Sequence, residues 1–93
     1  MLKHNVYFEG KVQSVGFERQ GRRQTVGVLD VGEFHFGTDA AERMTVVSGE
    51  IWAKLPGRAD FQLYPAGTSF EVPSKNGFDV RALEPAAYLC EFL

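Results

Sequence analysis

A two-residue rhythm in short runs restricts the fold more than any other feature of the sequence. "FDVRAL", residues 78–83, sets Phe78, Val80 and Ala82 on one side and Asp79, Arg81 and Leu83 on the other. "SFEV", residues 69–72, alternates too. Successive side chains of a strand point to opposite faces, so this rhythm describes strands with one apolar face. One-sided burial is the usual habit of antiparallel sheets. Similar runs lie near 6–17, 24–31, 33–37, 44–48, 50–55, 61–64, 68–72, 78–83 and 87–93, broken by Gly, Pro and polar turns. Only "TDAAERM" could form a helical turn, and it is too short to hold alone. Many short antiparallel strands in 93 residues predict a small sandwich or barrel. The closing run "AAYLCEFL" is apolar enough that it should be tied into the sheet or covered at a subunit interface.

The length predicts one domain, residues 1–93. A domain this small buries only about two-thirds of its unfolded surface, so a homodimer is expected to add stability. An apolar fraction of 44% argues for a packed globule and against disorder. The formal net charge of −2 gives no general attraction to nucleic acid or to an anionic membrane. Any anion site must therefore be local. The single cysteine, Cys90, excludes an internal disulfide. "MLKHNVYF" lacks the apolar segment of a signal peptide, and no run reaches membrane-spanning length. A cytoplasmic protein is expected.

"ERMTVVSGEI" raises a question of chemistry. Its carboxylate, Glu42, stands seven residues before Gly49, and "GTSFEVP" places Pro73 six residues after Gly67. Both spacings resemble the two motifs of the cupin barrels. In cupins two histidines precede the glutamate and a third follows the proline. Here the corresponding positions are Phe36 and Thr38 or, with one more residue between, His35 and Gly37; the late one is Phe78. At most His35 could stand beside Glu42, and His4 is expected on a frayed terminus. A catalytic metal usually needs three suitable protein ligands together, so a barrel without a metal site is expected.

The blocks "NVYFEGKVQSVGF", "TVGV", "ERMTVVSG", "YPAGTSFEVP" and "EPAAYLCEFL" resemble the pyrimidine/purine nucleoside phosphorylase family, in order and over nearly the whole chain. That family consists of small bacterial cupins. The resemblance implies an all-β, cupin-type (jelly-roll) antiparallel β-barrel. It also implies phosphate-dependent cleavage of purine and pyrimidine nucleosides to free base and α-D-ribose 1-phosphate, by direct displacement with inversion. Phosphate is then a co-substrate, and no cofactor and no metal are implied. The competing expectation is a non-catalytic cupin that binds a small anionic ligand as a sensor or scavenger.

Phosphorolysis needs phosphate held below the anomeric carbon, which calls for arginine, hydroxyls or backbone N–H groups. It needs the positive charge that develops on the sugar to be stabilised, and the departing base to be held. "ERQGRRQT" supplies Arg19, Arg22 and Arg23, either a solvated hairpin tip or a phosphate clamp. Arg23 is the favoured clamp because it precedes the strand "QTVGV". Ser14 and Thr38 are further candidate phosphate donors. Glu42 either accepts from ribose hydroxyls and offsets charge on the sugar, or serves as a salt bridge or turn cap. Phe36, Phe78, Tyr7, Phe17 and Tyr88 are candidates for the nucleoside, with core packing as the other role open to each. Rings that read a base through its π-face would tolerate purines and pyrimidines alike. His35 either faces outward from its strand or neighbours Glu42, and Cys90 is expected to be a buried, inert thiol.

Overall fold

The alternating runs become ten strands in the computed structural model, which describes residues 1–93. In chain order they are β1 (Lys3–Tyr7), β2 (Val12–Arg19), β3 (Arg22–Leu29), β4 (Gly32–Gly37), β5 (Glu42–Ser48), β6 (Glu50–Lys54), β7 (Gln62–Pro65), β8 (Ser69–Val72), β9 (Gly77–Ala82) and β10 (Ala86–Phe92). Every pairing is antiparallel. One six-stranded sheet has the order β1-β2-β3-β10-β5-β8, and a four-stranded sheet has the order β4-β9-β6-β7. The two ladders do not join, so the jelly roll is a double-sheet sandwich rather than a closed ring. No helix is long and apolar enough to cross a membrane.

The inward faces follow the alternation. Phe78, Val80 and Ala82 are buried, as are Met44, Val46, Phe70 and Val72, and all join one apolar core between the sheets. Leu29, Ile51 and Val80 are wholly enclosed. Each such side chain contributes about 1.5–3 kcal/mol by leaving water. The apolar end of the chain is tied in: β10 lies between β3 and β5. Tyr88 and Cys90 point to the core and Leu89 to the other face.

Three expectations need correction. The run 6–17 is not one strand. A 3₁₀ turn at Phe8–Gly10 divides it, with positive φ at Phe8, Glu9 and Gly10. His4 is not frayed but pairs with Val15 inside β1–β2. "TDAAERM" forms no helical turn, because Glu42 already opens β5. The β2–β3 hairpin closes through Gln20 (φ 53) and Gly21 (φ 77). Two left-handed residues in a two-residue loop match the twist of the flanking strands. This turn holds Arg19 and Arg22 directly opposite each other at the tip.

Candidate functional site

Register sets the inward side chains of the large sheet in rows. One row runs Asn5, Ser14, Gly27, Tyr88, Val46. The next runs Gly16, Thr25, Cys90, Met44. A third contains Phe92 and Glu42, with Arg23 stacked on the Phe92 ring at 4.7 Å. These rows floor a cavity of about 250 Å³. Its opposite wall comes from β4 through Phe36, and its mouth from Tyr7 and Phe8. Site and apolar core thus share one inner space, with Ser14 on β2 and Glu42 on β5 on either side of β3 and β10.

Glu42 is 9% exposed, and its Oε1 accepts a hydrogen bond from the Cys90 thiol at 3.3 Å. Burial raises the Glu42 pKa above the ordinary carboxylate value, and the thiol hydrogen bond partly opposes that rise. Burial and the neighbouring carboxylate push the Cys90 thiol strongly upward, so it stays protonated as a donor. Burial likewise holds the Tyr88 phenol neutral. Ser14 accepts from Asn5 Nδ2 at 3.3 Å, which leaves its own proton free to donate into the cavity. Arg23 forms no ion pair and is exposed at the rim.

The expected residues divide. Glu42, Ser14, Phe36, Tyr7 and Tyr88 are brought together around the cavity. Arg23 stands just outside it, resting on Phe92, which is part of the lining. Three do not reach it. Thr38 donates to the Pro73 carbonyl at 2.7 Å and accepts from the Asn76 N–H at 3.0 Å, so its hydroxyl holds a loop together. Phe78 is buried against Phe36, edge-on at 5.5 Å, and is not part of the cavity lining. Phe17 has the strand parity of Val15 and lies on the outer face of the sheet.

His35 is exposed on β4 with its Nδ1 2.8 Å from Asp79 Oδ1, and the residue also borders the cavity that Glu42 lines. That hydrogen bond is the main reason the Asp79 pKa lies below its ordinary value. Sequence reasoning missed Phe8, Thr25, Phe92 and the link between Cys90 and Glu42. Cys90 was within reach, since it shares strand parity with Tyr88. Phe8 was not, because its position depends on the left-handed turn.

A family model described as pyrimidine/purine nucleoside phosphorylase matches residues 2–92. A protein of that name from Anaeromyxobacter sp. (strain Fw109-5) is 77% identical over all of this chain and 89% of its own length. The chain belongs to the pyrimidine/purine nucleoside phosphorylase family. Another member by name, from Sorangium cellulosum (strain So ce56), is 71% identical over the whole of both chains. Among solved structures, the protein of unknown function VPA0057 from Vibrio parahaemolyticus superposes with a TM-score of 0.97 at 45% identity, covering 100% of this chain and 99% of that one. An RmlC-like cupin from Shewanella frigidimarina superposes with a TM-score of 0.78 at 17% identity, covering 98% and 82%. That likeness establishes the cupin-type fold.

Proposed function

We propose that the cavity is the active site of a nucleoside phosphorylase that takes purine and pyrimidine nucleosides and inorganic phosphate. Membership in the family supports the reaction, and the order of groups along the cavity carries the assignment of roles. An unpaired arginine stands at the rim over the Phe92 ring, a buried carboxyl lies on the far side of Phe92, and aromatic rings line the rest of the cavity. Phosphate, ribose and base need those three surroundings in that sequence.

In this reading Arg23 draws phosphate to the rim, and Ser14, two rows further in on β2, offers a donor deeper in the cavity. A phosphate oxygen attacks the anomeric carbon from the face opposite the base. Its electron pair forms the new C–O bond as the glycosidic C–N bond breaks, and the product is the α-phosphate. Glu42 lies beside the sugar, where a carboxylate accepts from hydroxyls and offsets positive charge. Phe36, Tyr7 and Tyr88 hold the base. Positioning and electrostatics carry the rate, without a covalent intermediate.

Cupin folds often hold a metal, but the donor set here does not fit one. The chain contains no group of three His, Cys, Asp or Glu side chains placed to share an ion. Glu42 takes its hydrogen bond from the protonated Cys90 thiol, and the His35 Nδ1 is engaged with Asp79. The outer face of the large sheet exposes Val6, Val15, Val26 and Val28. Contiguous apolar surface of this kind is usually covered by a partner. We read that face as support for a homodimer.

The test incubates purified protein with uridine, and separately with adenosine, with and without phosphate and with a chelator present. Free base and ribose 1-phosphate are quantified. Release from both that requires phosphate and ignores the chelator is expected. Binding of either nucleoside without release at any phosphate concentration would leave a ligand-binding cupin instead.

A further inference from the structure

Tyr88 is the one aromatic of the site whose polar end is placed with unusual tightness. The residue is only 5% exposed. Its ring lies across Gly27, its partner in register on β3. A methyl carbon on Gly27 would come within 2.5 Å of both the hydroxyl oxygen and the carbon that bears it. The ring is also held by Phe36, at 6.5 Å between centroids. The hydroxyl pairs with no protein group, yet every fully enclosed polar side-chain atom in the molecule is paired. The oxygen therefore opens onto the cavity that Tyr88 lines. A phenol so far buried, fixed in place and without a partner is a hydrogen-bond donor waiting for a ligand.

Its surroundings indicate which part of the ligand. Tyr88 stands between two zones. Phe36 and Tyr7 form the aromatic side, and Glu42 with Cys90 forms the polar side, close enough for both to bear on the phenol. If the base stacks on the aromatics and the sugar meets Glu42, the bond joining them crosses near Tyr88. Purine and pyrimidine nucleosides differ in size, but both have an acceptor at this point. In pyrimidines it is O2, in purines N3, each one carbon removed from the glycosidic nitrogen. The equivalence of these two acceptors is why A·T and T·A look alike from the minor groove of DNA.

We propose that the Tyr88 hydroxyl donates a hydrogen bond to pyrimidine O2 or purine N3, and so serves as one recognition and leaving-group contact for both classes of base. This inference rests on the phosphorylase reading and deepens it. As the C–N bond breaks, its electron pair stays on the ring nitrogen, and the negative charge spreads to O2 or N3. A donor aimed there strengthens its bond as charge develops, which favours the transition state over bound substrate. Tyr88 keeps its proton throughout, and the released base takes one from water. Burial keeps the phenol from ionising, so the donor is present at any physiological pH. Breadth of specificity then has a physical source: the site reads a shared acceptor and a π-face, and leaves the distinguishing edge of the base unread.

The experiment is a substrate-by-variant cycle. Wild type and Tyr88→Phe are assayed with adenosine, uridine and 3-deazaadenosine, which has C–H in place of N3. Phenylalanine keeps the ring over Gly27, and matched unfolding midpoints would confirm that packing is intact. Loss of the hydroxyl is expected to lower kcat/KM for adenosine and for uridine by roughly ten- to a hundredfold, the worth of one hydrogen bond to a group gaining charge. For 3-deazaadenosine the same substitution should cost less than about twofold, within ordinary additivity. An equal loss on adenosine and 3-deazaadenosine would overturn the inference and place the hydroxyl on the sugar or in the fold. Wild type that releases no base from adenosine or uridine would overturn the phosphorylase reading itself. The two failures are thus told apart by the wild-type rows alone.

Discussion

Gly27→Ala isolates the contact on which the geometry of the cavity floor depends. Gly27 lies inside β3, between β2 and β10, and has no left-handed φ. By backbone alone, alanine should be accepted and should stabilise by about 0.4–1 kcal/mol through the unfolded chain. The packing says the opposite. The new methyl carbon would stand 2.5 Å from Tyr88 Cζ, 2.5 Å from its oxygen and 2.8 Å from Cε1. Carbon contacts are comfortable near 3.5 Å, so the overlap is about 1 Å. Neither side yields easily, since β3 and β10 share a full ladder and the Tyr88 ring is enclosed. Overpacking of this kind costs about 1–3 kcal/mol. For a domain of this size each kcal/mol moves the melting temperature by about 4–8 °C, so a fall of roughly 5–20 °C is expected. Thermal and urea unfolding would measure it. The decisive comparison is the same substitution in a Tyr88→Ala background. There the obstacle is gone, and alanine at 27 should be neutral or slightly stabilising. A neutral or stabilising effect in the wild-type background, or an equal cost in both backgrounds, would refute the steric reasoning.

Other expectations follow from the same geometry. Arg23→Ala should raise KM for phosphate by roughly tenfold or more, the scale of one charge-assisted contact, while the melting temperature changes little, since Arg23 is exposed and only stacks on Phe92. Steady-state kinetics at varied phosphate would detect an unchanged KM, which would remove the clamp. Glu42→Gln should lower kcat by about a hundredfold and raise the melting temperature at pH 8. Because burial lifts the Glu42 pKa above 4.5, the native state holds its proton more tightly than the unfolded chain. The wild-type penalty is complete above the folded pKa and fades as pH falls toward 4.5, so the stability advantage of glutamine should shrink over that window. A pH series of unfolding curves with a constant gap would contradict it. Thr38→Val should cost about 1–3 kcal/mol, because it orphans the Asn76 N–H and the Pro73 carbonyl. Activity per folded molecule should survive, and a selective rise in phosphate KM would return Thr38 to the site.

Much of the fold was legible because burial in a sheet leaves its period in the sequence. "FDVRAL" and "SFEV" point the way their alternation says. Glu42 faces inward, in the slot that the cupin-like spacing to Gly49 assigned to it. The failures have local causes. The face of Phe17 could not be read from the sequence, because the turn at Phe8–Gly10 breaks the run 6–17 and strand parity does not carry across such a break. Phe78 points inward as expected, but depth is not written in strand parity, and it packs against Phe36 outside the cavity lining. Thr38 follows the last residue of β4, where loop hydrogen bonds rather than the ladder decide what a hydroxyl does. The Cys90–Glu42 bond is diagonal between neighbouring strands and required the register of β10 on β5.

The separation of the two ladders has a consequence for how the cavity could change size. Phe36 belongs to the four-stranded sheet, whereas Glu42, Ser14 and Tyr88 belong to the six-stranded one. The walls are therefore joined by loops and by side chains sliding on side chains, without a backbone ladder across the seam. Widening the gap for a larger base would break no strand-to-strand hydrogen bond. It would shift side-chain contacts across the seam, such as Phe36–Tyr88, Phe70–Phe78 and Tyr64–Phe70. Such a seam works like the jaws of a vice with a greased slide: each jaw stays stiff, and the jaw width is the soft coordinate.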